Sequence, residues 1–284
     1  MNGFLNFYKP SGMSSAYALN LIKRRFRGEK MGHMGTLDPL ASGVLPVAFG
    51  KATRLFDYLL EKDKVYKAEF TFGYETDTLD RGGVIVKENG YLPSIEEITN
   101  VLSSLTGEVE QLPPIYSAKN INGKRSYELA RQGIEVELKP KKVVITSIDF
   151  IEKTGQNSYV FLIKCKGGTY IRSICRDLAY KLNTFATMTA LERLQSGIFT
   201  LKNAFSIEDI VDNFSEEKML IKPDSVLTFE KINLSNRRTD DILNGRLFTL
   251  DMDDGFYSVY GRNEFIGVGK IEDKTLKIKA YIKD

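Results

Sequence analysis

A mixed α+β fold is predicted by three features of the 284-residue chain. Helix-period and strand-period segments alternate without a regular repeat, which favours α+β over a doubly wound arrangement. A strand, a tight Gly-Gly turn and a helix follow one another at 159–182, and after about Ser225 the texture changes to short strand-like runs. With 42% hydrophobic and 27% charged residues, the chain has the apolar content for one large domain and a small one, which excludes disordered and fibrous classes. No apolar run reaches the roughly 18 residues of a membrane span, and the start MNGFLNFYKPSG has no signal-peptide core. A soluble, cytoplasmic protein without membrane contact is expected.

Residues 16–26 read as a helix because Ser14 and Ser15 offer capping oxygens ahead of helically spaced apolar residues, and residues 54–60 follow Thr53 in the same way. Residues 65–72 alternate strictly: Tyr66, Ala68, Phe70 and Phe72 point one way, Val65, Lys67, Glu69 and Thr71 the other. That pattern predicts a half-buried strand with Tyr66 facing inward. Residues 94–105 open with a capping box, Ser94 and Glu97, carry Ile95, Ile98, Val101, Leu102 and Leu105 on one face, and stop at Gly107. A short helix is expected over 126–132, ended by Gly133. A strand at 159–166 meets Gly167 and Gly168, after which Ile171, Ile174, Cys175, Leu178 and Leu182 mark one face of a helix. Cys165 and Cys175 fall inside these elements and are expected as small buried apolar residues. The acidic 205–223 stretch, closed by Pro223, reads as a connection to a small β unit with strands at 256–260, 265–271 and 276–282.

Net charge is only +3, so bulk charge identifies no nucleic-acid binder. The distribution is more informative. Between Ile22 and Met34 stand Lys23, Arg24, Arg25, Arg27 and Lys30 against Glu29. Between Lys119 and Lys142 stand Lys119, Lys124, Arg125, Arg131, Lys139, Lys141 and Lys142 against Glu128, Glu135 and Glu137. Each patch nets +4 and fits either a solvated face or a contact with a phosphate backbone. Two cysteines and the single His33, with no CxxC pair, give no expectation of a metal site or a disulfide framework. There is no GxxxxGK[ST] phosphate loop, no obvious carboxylate pair for glycoside hydrolysis, and no Ser-His-Asp set except through His33.

The densest segment is 32–43, where three glycines and a proline within twelve residues preclude a helix and specify a shaped loop. Asp38 stands in its middle. Pro39 pushes Asp38 toward an extended backbone that projects the carboxylate, while an Asx turn that merely holds the loop fits the same residues. A carboxylate that does chemistry needs to be kept ionised and aimed. Arg172, just after Gly167-Gly168-Thr169-Tyr170, offers a planar fork for that, and such pairing is expected to depress the Asp38 pKa.

Five segments in order, Lys9-Pro10 with Gly12 and Ser14-Ser15, GHMGTLDPLASGVLP (32–46), KVYKAEFTFG (64–73), PPIYSAKNINGKRSYELARQG (113–133) and GGTYIRSICRDL (167–178), resemble the bacterial tRNA pseudouridine-55 synthase (TruB) family. The resemblance covers residues 3–200. It implies a pseudouridine synthase fold with a mixed, mainly antiparallel central sheet flanked by helices. In these terms the catalytic domain is 1–224, with an RNA-gripping insertion at about 116–142, and 225–284 is a small PUA-like β domain.

The implied activity is isomerisation of a flipped T-loop uridine of tRNA to pseudouridine, breaking the N1–C1′ bond and rejoining at C5, without cofactor or metal. By position, Asp38 matches the catalytic aspartate, as nucleophile or ribose-directed base. Tyr66 matches the aromatic that stacks on the base and assists deprotonation at C5, and Arg172 the arginine that pairs with the aspartate. Tyr170 and Leu191 match residues lining the uracil pocket, His33 a histidine that holds the opened T-loop, and Lys9-Pro10 a structural motif. Lys119, Lys124, Arg125 and Arg131 are expected on the RNA backbone. Met34 stands where a small polar residue is common in the family. The expected partner is the T-arm and T-loop of tRNA, met by a monomer with no obligatory protein partner. A non-catalytic RNA-binding protein on the same scaffold and an RNA-guided relative acting on ribosomal RNA are the alternatives.

Overall fold

The computed structural model describes residues 1–59, 62–116, 120–121, 124–125 and 138–283, of which 120–121 and 124–125 by backbone alone. Strands β1 (Gly3–Lys9), β2 (Met31–His33), β3 (Ser42–Phe49) and β4 (Lys64–Phe72) come first. Then follow a hairpin, β5 (Tyr74–Thr76) and β6 (Ile85–Glu88), the strand β7 (Gly107–Gln111), and a short pair, β8 (Asn120–Ile121) and β9 (Lys124–Arg125). The main body is completed by β10 (Lys141–Lys153), β11 (Ser158–Cys165), β12 (Ala186–Ser196), β13 (Phe199–Thr200) and β14 (Leu220–Ile221). Among the described residues ten of these strands join one sheet in the order β14-β1-β3-β12-β4-β11-β10-β7, with β2 beside β3 and β13 beside β12. Every join is antiparallel except β3–β12, which runs parallel at Ser42–Glu192 and Gly43–Arg193. This is the mixed, mainly antiparallel sheet that was expected.

The pleat sorts the apolar residues into two cores. On β1 and β3, Leu5, Phe7, Leu45, Val47 and Phe49 face the helical side, while Phe4, Val44 and Ala48 face the other. The helical side is covered by α1 (Ser15–Lys23), α2 (Ile95–Leu102) and α3 (Ile171–Lys181). Ser14 caps α1 by accepting from Tyr17 N, and the Ser94/Glu97 box caps α2 reciprocally. β4 buries Tyr66, Ala68, Phe70 and Phe72 as its alternation predicts.

Helix α1 stops at Lys23, three residues short of the expected end, because the chain turns there so that Phe26 can pack edge-on against Phe49 and Phe214, 5.0 and 4.6 Å between ring centres. The helix expected at 54–60 is instead a 3-10 stretch, Gly50–Tyr58, which Gly50 opens at a positive φ of 58°. The 205–223 stretch is more than a connection. It forms the helices Ile207–Asn213 and Glu216–Met219, and then β14, which pairs with β1 at the sheet edge. Its apolar residues Ile210 and Met219 belong to the main core, and its acidic Asp209 closes a capping box with Ser206.

Strands β15 (Glu230–Leu234), β16 (Phe248–Thr249), β17 (Gly255–Gly261), β18 (Glu264–Glu272) and β19 (Thr275–Tyr281) make a separate sheet in the order β15-β17-β18-β19-β16. It joins the main body through the second core, where Val268, Ala280 and Ile282 meet Phe4, Val44 and Leu55. Met34 is buried in that core with Phe199 and Val226, which accounts for an apolar residue at a place where a small polar one is common in the resembled family. Cys165 and Cys175 are buried and unbridged, and burial pushes the Cys165 thiol up to about 11. Among the described residues no helix is long and apolar enough to cross a membrane.

Candidate active site

The loop between β2 and β3 carries Asp38, and it is held from three sides. Ser15, at the start of α1, accepts from Leu37 N and donates to Leu37 O through its hydroxyl, both at 2.9 Å. Gly12 N donates to Pro39 O at 2.8 Å and Ser11 Oγ to Leu40 O at 2.6 Å. Gly12 adopts φ +91°, so its turn suits glycine. Lys9 fixes that turn from inside, its buried ammonium donating to Pro10 O and Met13 O at 2.9 and 2.7 Å. Burial lowers the Lys9 pKa to about 8. From the third side Arg193 of β12 donates to Gly35 O at 2.8 Å. The Lys-Pro and Ser-Ser residues near the N-terminus thus scaffold the loop.

Arg172 stands in the first turn of α3 and reaches Asp38 with a two-bond fork, Nε to Oδ2 at 2.9 Å and Nη2 to Oδ1 at 3.1 Å. A cation at a helix N-terminus faces the positive end of the helix dipole, so Arg172 needs the anions that surround it. Its Nη1 donates to Thr78 O at 3.0 Å and lies 3.5 Å from Asp80 Oδ2, and its Nη2 also donates to Tyr116 O at 3.0 Å. Asp80 is fixed in turn: its Oδ1 accepts from Thr78 Oγ1 and Gly82 N, both at 2.9 Å. Leu79 beside it holds a positive φ of 62°, a backbone conformation that costs a leucine energy and that the surrounding bonds to Met188 maintain. Asp80 was not anticipated from the sequence, where its DTLDRGG setting signals only a turn.

The Arg172 side chain is 6% exposed and that of Asp38 32%, so the carboxylate keeps one open side while the guanidinium is enclosed. The Asp38 pKa is raised, not depressed as pairing alone would predict. Desolvation by burial outweighs the opposing pull of Arg172 and Lys9, and the nearby Asp80 charge pushes in the same direction as burial.

Tyr66 is 6% exposed on the inward face of β4. Burial raises its phenol pKa, the Arg193 cation opposes that shift, and Asp38 is close enough to add to it. Leu191, on β12 opposite Ala68, is buried two residues before Arg193, which itself stands opposite Tyr66. Tyr170 caps α3 and is half-buried. Gln111 holds its backbone at both ends, accepting from Tyr170 N at 2.8 Å and donating to Tyr170 O at 3.1 Å. His33 ends β2, paired in register with Val47, at the entrance of the Asp38 loop.

The structure therefore brings Asp38, Arg172, Tyr66 and, unforeseen, Asp80 and Arg193 into one neighbourhood, with Tyr170 and Leu191 on elements that carry them. Lys119, Arg131 and the helix expected at 126–132 lie outside the described residues; Lys124 and Arg125 are described only as the backbone of β9. In the first basic patch Arg24, Arg25, Arg27 and Lys30 are exposed, and no carboxylate pairs with them among the described residues. No group of three or more His, Cys, Asp or Glu is placed to hold a metal ion among the described residues. The arrangement offers an aimed, partly open carboxylate beside a buried aromatic hydroxyl.

Comparison with known proteins bears on this site. Residues 23–171 match the family model described as TruB family pseudouridylate synthase (N terminal domain), and residues 172–228 the one described as tRNA pseudouridylate synthase B C-terminal domain. A tRNA pseudouridine synthase B of Clostridium perfringens is 41% identical over 99% of both chains. One of Caldanaerobacter subterraneus subsp. tengcongensis is 39% identical over 98% of both. Among solved structures, a chain of a Cbf5-Nop10-Gar1 complex superposes with a TM-score of 0.75 at 23% identity, over 99% of this chain and 85% of that one. A chain of an H/ACA RNP bound to a substrate RNA gives 0.74 at 21% identity, again over 99% and 85%. These two likenesses concern the fold.

Proposed function

The chain belongs to the TruB family of pseudouridylate synthases, an isomerase that converts uridine in tRNA to pseudouridine, and from that premise we propose how and where it acts. The substrate is the T-loop uridine at the family's position 55. The enzyme flips this base out of the stack, because the reacting atoms are unreachable within it. Asp38 acts at the ribose, either attacking C1′ or taking the 2′ proton. Either route breaks the N1–C1′ bond and leaves the electron pair on the base. The base then turns and C5 bonds to C1′, as the Asp38–C1′ bond breaks in the first route or the 2′ proton returns in the second; the proton displaced from C5 leaves while N1 gains one. Tyr66 forms the wall against which the base stacks, Tyr170 and Leu191 line its pocket, and His33 contacts the opened loop.

The single observation that carries this reading is the two-bond fork from Arg172 to a carboxylate that remains a third exposed. A carboxylate aimed by an enclosed guanidinium and open on one side can meet a substrate, and perturbed groups so placed cluster at functional sites.

Residues 1–224 form the catalytic domain in this reading and 225–284 a PUA-like RNA-binding module. The protein works in the cytoplasm as a monomer on free tRNA, with Lys119, Lys124, Arg125 and Arg131 along the RNA backbone. The test uses a tRNA transcript tritiated at uracil C5, with no guide RNA or partner. Stoichiometric tritium release is expected; none at high enzyme concentration refutes the reading, and release only on addition of a guide RNA and partner proteins assigns the RNA-guided alternative.

The unpaired cations predict a steep salt dependence. Affinity for tRNA should fall linearly on a log–log plot against salt, and reversing Arg24 and Arg25 to Glu should flatten the slope by about 1–2, at ~0.7–0.9 per phosphate contact. An affinity unchanged between low and moderate salt would remove the phosphate contacts from the reading.

A further inference from the structure

Arg193 is 1% exposed, and among the described residues no carboxylate bridges it. A guanidinium taken out of water without a counter-ion is costly unless its donors are all used. Two donors of Arg193 converge on the ends of the catalytic loop. Nη2 donates to Gly35 O at 2.8 Å, where the loop begins, and Nε to Val44 O at 2.7 Å, just after it ends. Tyr66 stands directly opposite Arg193 in the β4–β12 register, and the guanidinium charge opposes the burial that raises the phenol pKa.

The backbone enforces this placement. Arg193 pairs with Gly43 at the parallel β3–β12 join, where a Cβ on Gly43 would lie 2.3 Å from Arg193 O. Gly43 also holds φ +105°, so only glycine lets the two strands approach there.

We propose that Arg193 is a positioning residue for the isomerisation, one rigid guanidinium that clamps both ends of the Asp38 loop to β12, directly across from Tyr66 on β4. The proposal rests on the assignment of Asp38 and Tyr66 to the reaction made above. The physical need is specific to this chemistry. The carboxylate acts at the sugar while the aromatic faces the base, and between bond breaking and bond making the base must turn. Carboxylate and aromatic therefore have to keep their mutual distance when the covalent tie between base and sugar is gone. Arg172 aims the carboxylate from α3, on the helical side; Arg193 ties the loop to β12, the strand that pairs with β4. A planar fork can span these two carbonyls in a fixed geometry, and an ammonium cannot.

The test measures single-turnover tritium release and tRNA affinity for full-length Arg193→Lys and Arg193→Gln, each alone and combined with Tyr66→Phe, with thermal unfolding as the check on folding. Arg193→Lys is expected to lower the single-turnover rate by about 100-fold while the Kd for tRNA stays within about 3-fold, the loss associated with a misplacement of roughly 1 Å. In the Tyr66→Phe background the further loss should shrink to about 10-fold or less, because the alignment of loop and phenol that Arg193 keeps matters less once the hydroxyl is gone. Equal losses in both backgrounds, a fall in affinity that accounts for the rate, or a wild-type rate in Arg193→Lys would each overturn the proposal. If neither variant unfolds cooperatively, Arg193 serves stability alone and the proposal is likewise overturned. A wild-type enzyme that releases no tritium would instead strike the assignment on which the proposal rests.

Discussion

Asp38→Asn is expected to lower the single-turnover rate by about 10⁴-fold or more while leaving the tRNA Kd within about 3-fold, as when a group that works as part of a unit is removed. Asparagine preserves the shape and can still accept from Arg172, so the loop should stay in place. What is lost is the negative charge and the basic oxygen. Tritium release and filter binding on the same preparations separate the two effects, and a variant with even a tenth of the wild-type rate would exclude Asp38 from the chemistry.

The same carboxylate sets the acid side of the pH profile. Its pKa is raised above the ordinary value of 3.8, chiefly by burial. The ionised form is the reactive one, so activity is full above the raised value and is lost as pH falls through it. The acid limb of kcat/KM should therefore lie above 3.8. It should move further up in Arg172→Lys, where the opposing cation is held less closely. A limb at or below the ordinary carboxylate value would contradict the desolvated site.

Arg172→Lys is expected to cost about 10²–10³-fold in kcat with little change in tRNA affinity. Lysine keeps the charge but cannot make the fork to Asp38 while also serving Thr78 O and Tyr116 O. Arg172→Met goes further. It leaves Asp80 buried beside Asp38 without their shared cation, and removing one partner of such a buried set costs about 3–5 kcal/mol, here near the lower end because Asp38 is partly exposed to water. Urea or thermal unfolding measures the second effect. If Arg172→Lys lost rate and affinity in equal measure, Arg172 would be chiefly an RNA contact.

How much of this was legible in the sequence depends on the range of the interaction that encodes it. The Ser94/Glu97 box, the strict alternation from Tyr66 to Phe72 and the Gly-Gly turn before α3 are written within a few residues of where they act, and each stands where the sequence placed it. The end of α1 at Lys23 was illegible for the opposite reason: Phe26 leaves the helix to pack on Phe49 and Phe214, which are distant in the chain. Pairing of Asp38 with Arg172, 134 residues apart, was readable only as a need for some cation and through the family motifs.

By itself, the sequence determined the α+β class, the shaped loop around Asp38 and the inward face of Tyr66, because side-chain periodicity and turn chemistry are local; the mainly antiparallel sheet was legible only through the family motifs. Tertiary structure alone decided that Asp80 shares the Arg172 guanidinium, that Arg193 spans the ends of the catalytic loop, and that the 205–221 stretch closes the main sheet. The direction of the Asp38 pKa shift was decided there too. Whether burial or a neighbouring cation prevails depends on how far water is excluded around the carboxylate, and no stretch of sequence shows which distant strands and helices exclude it.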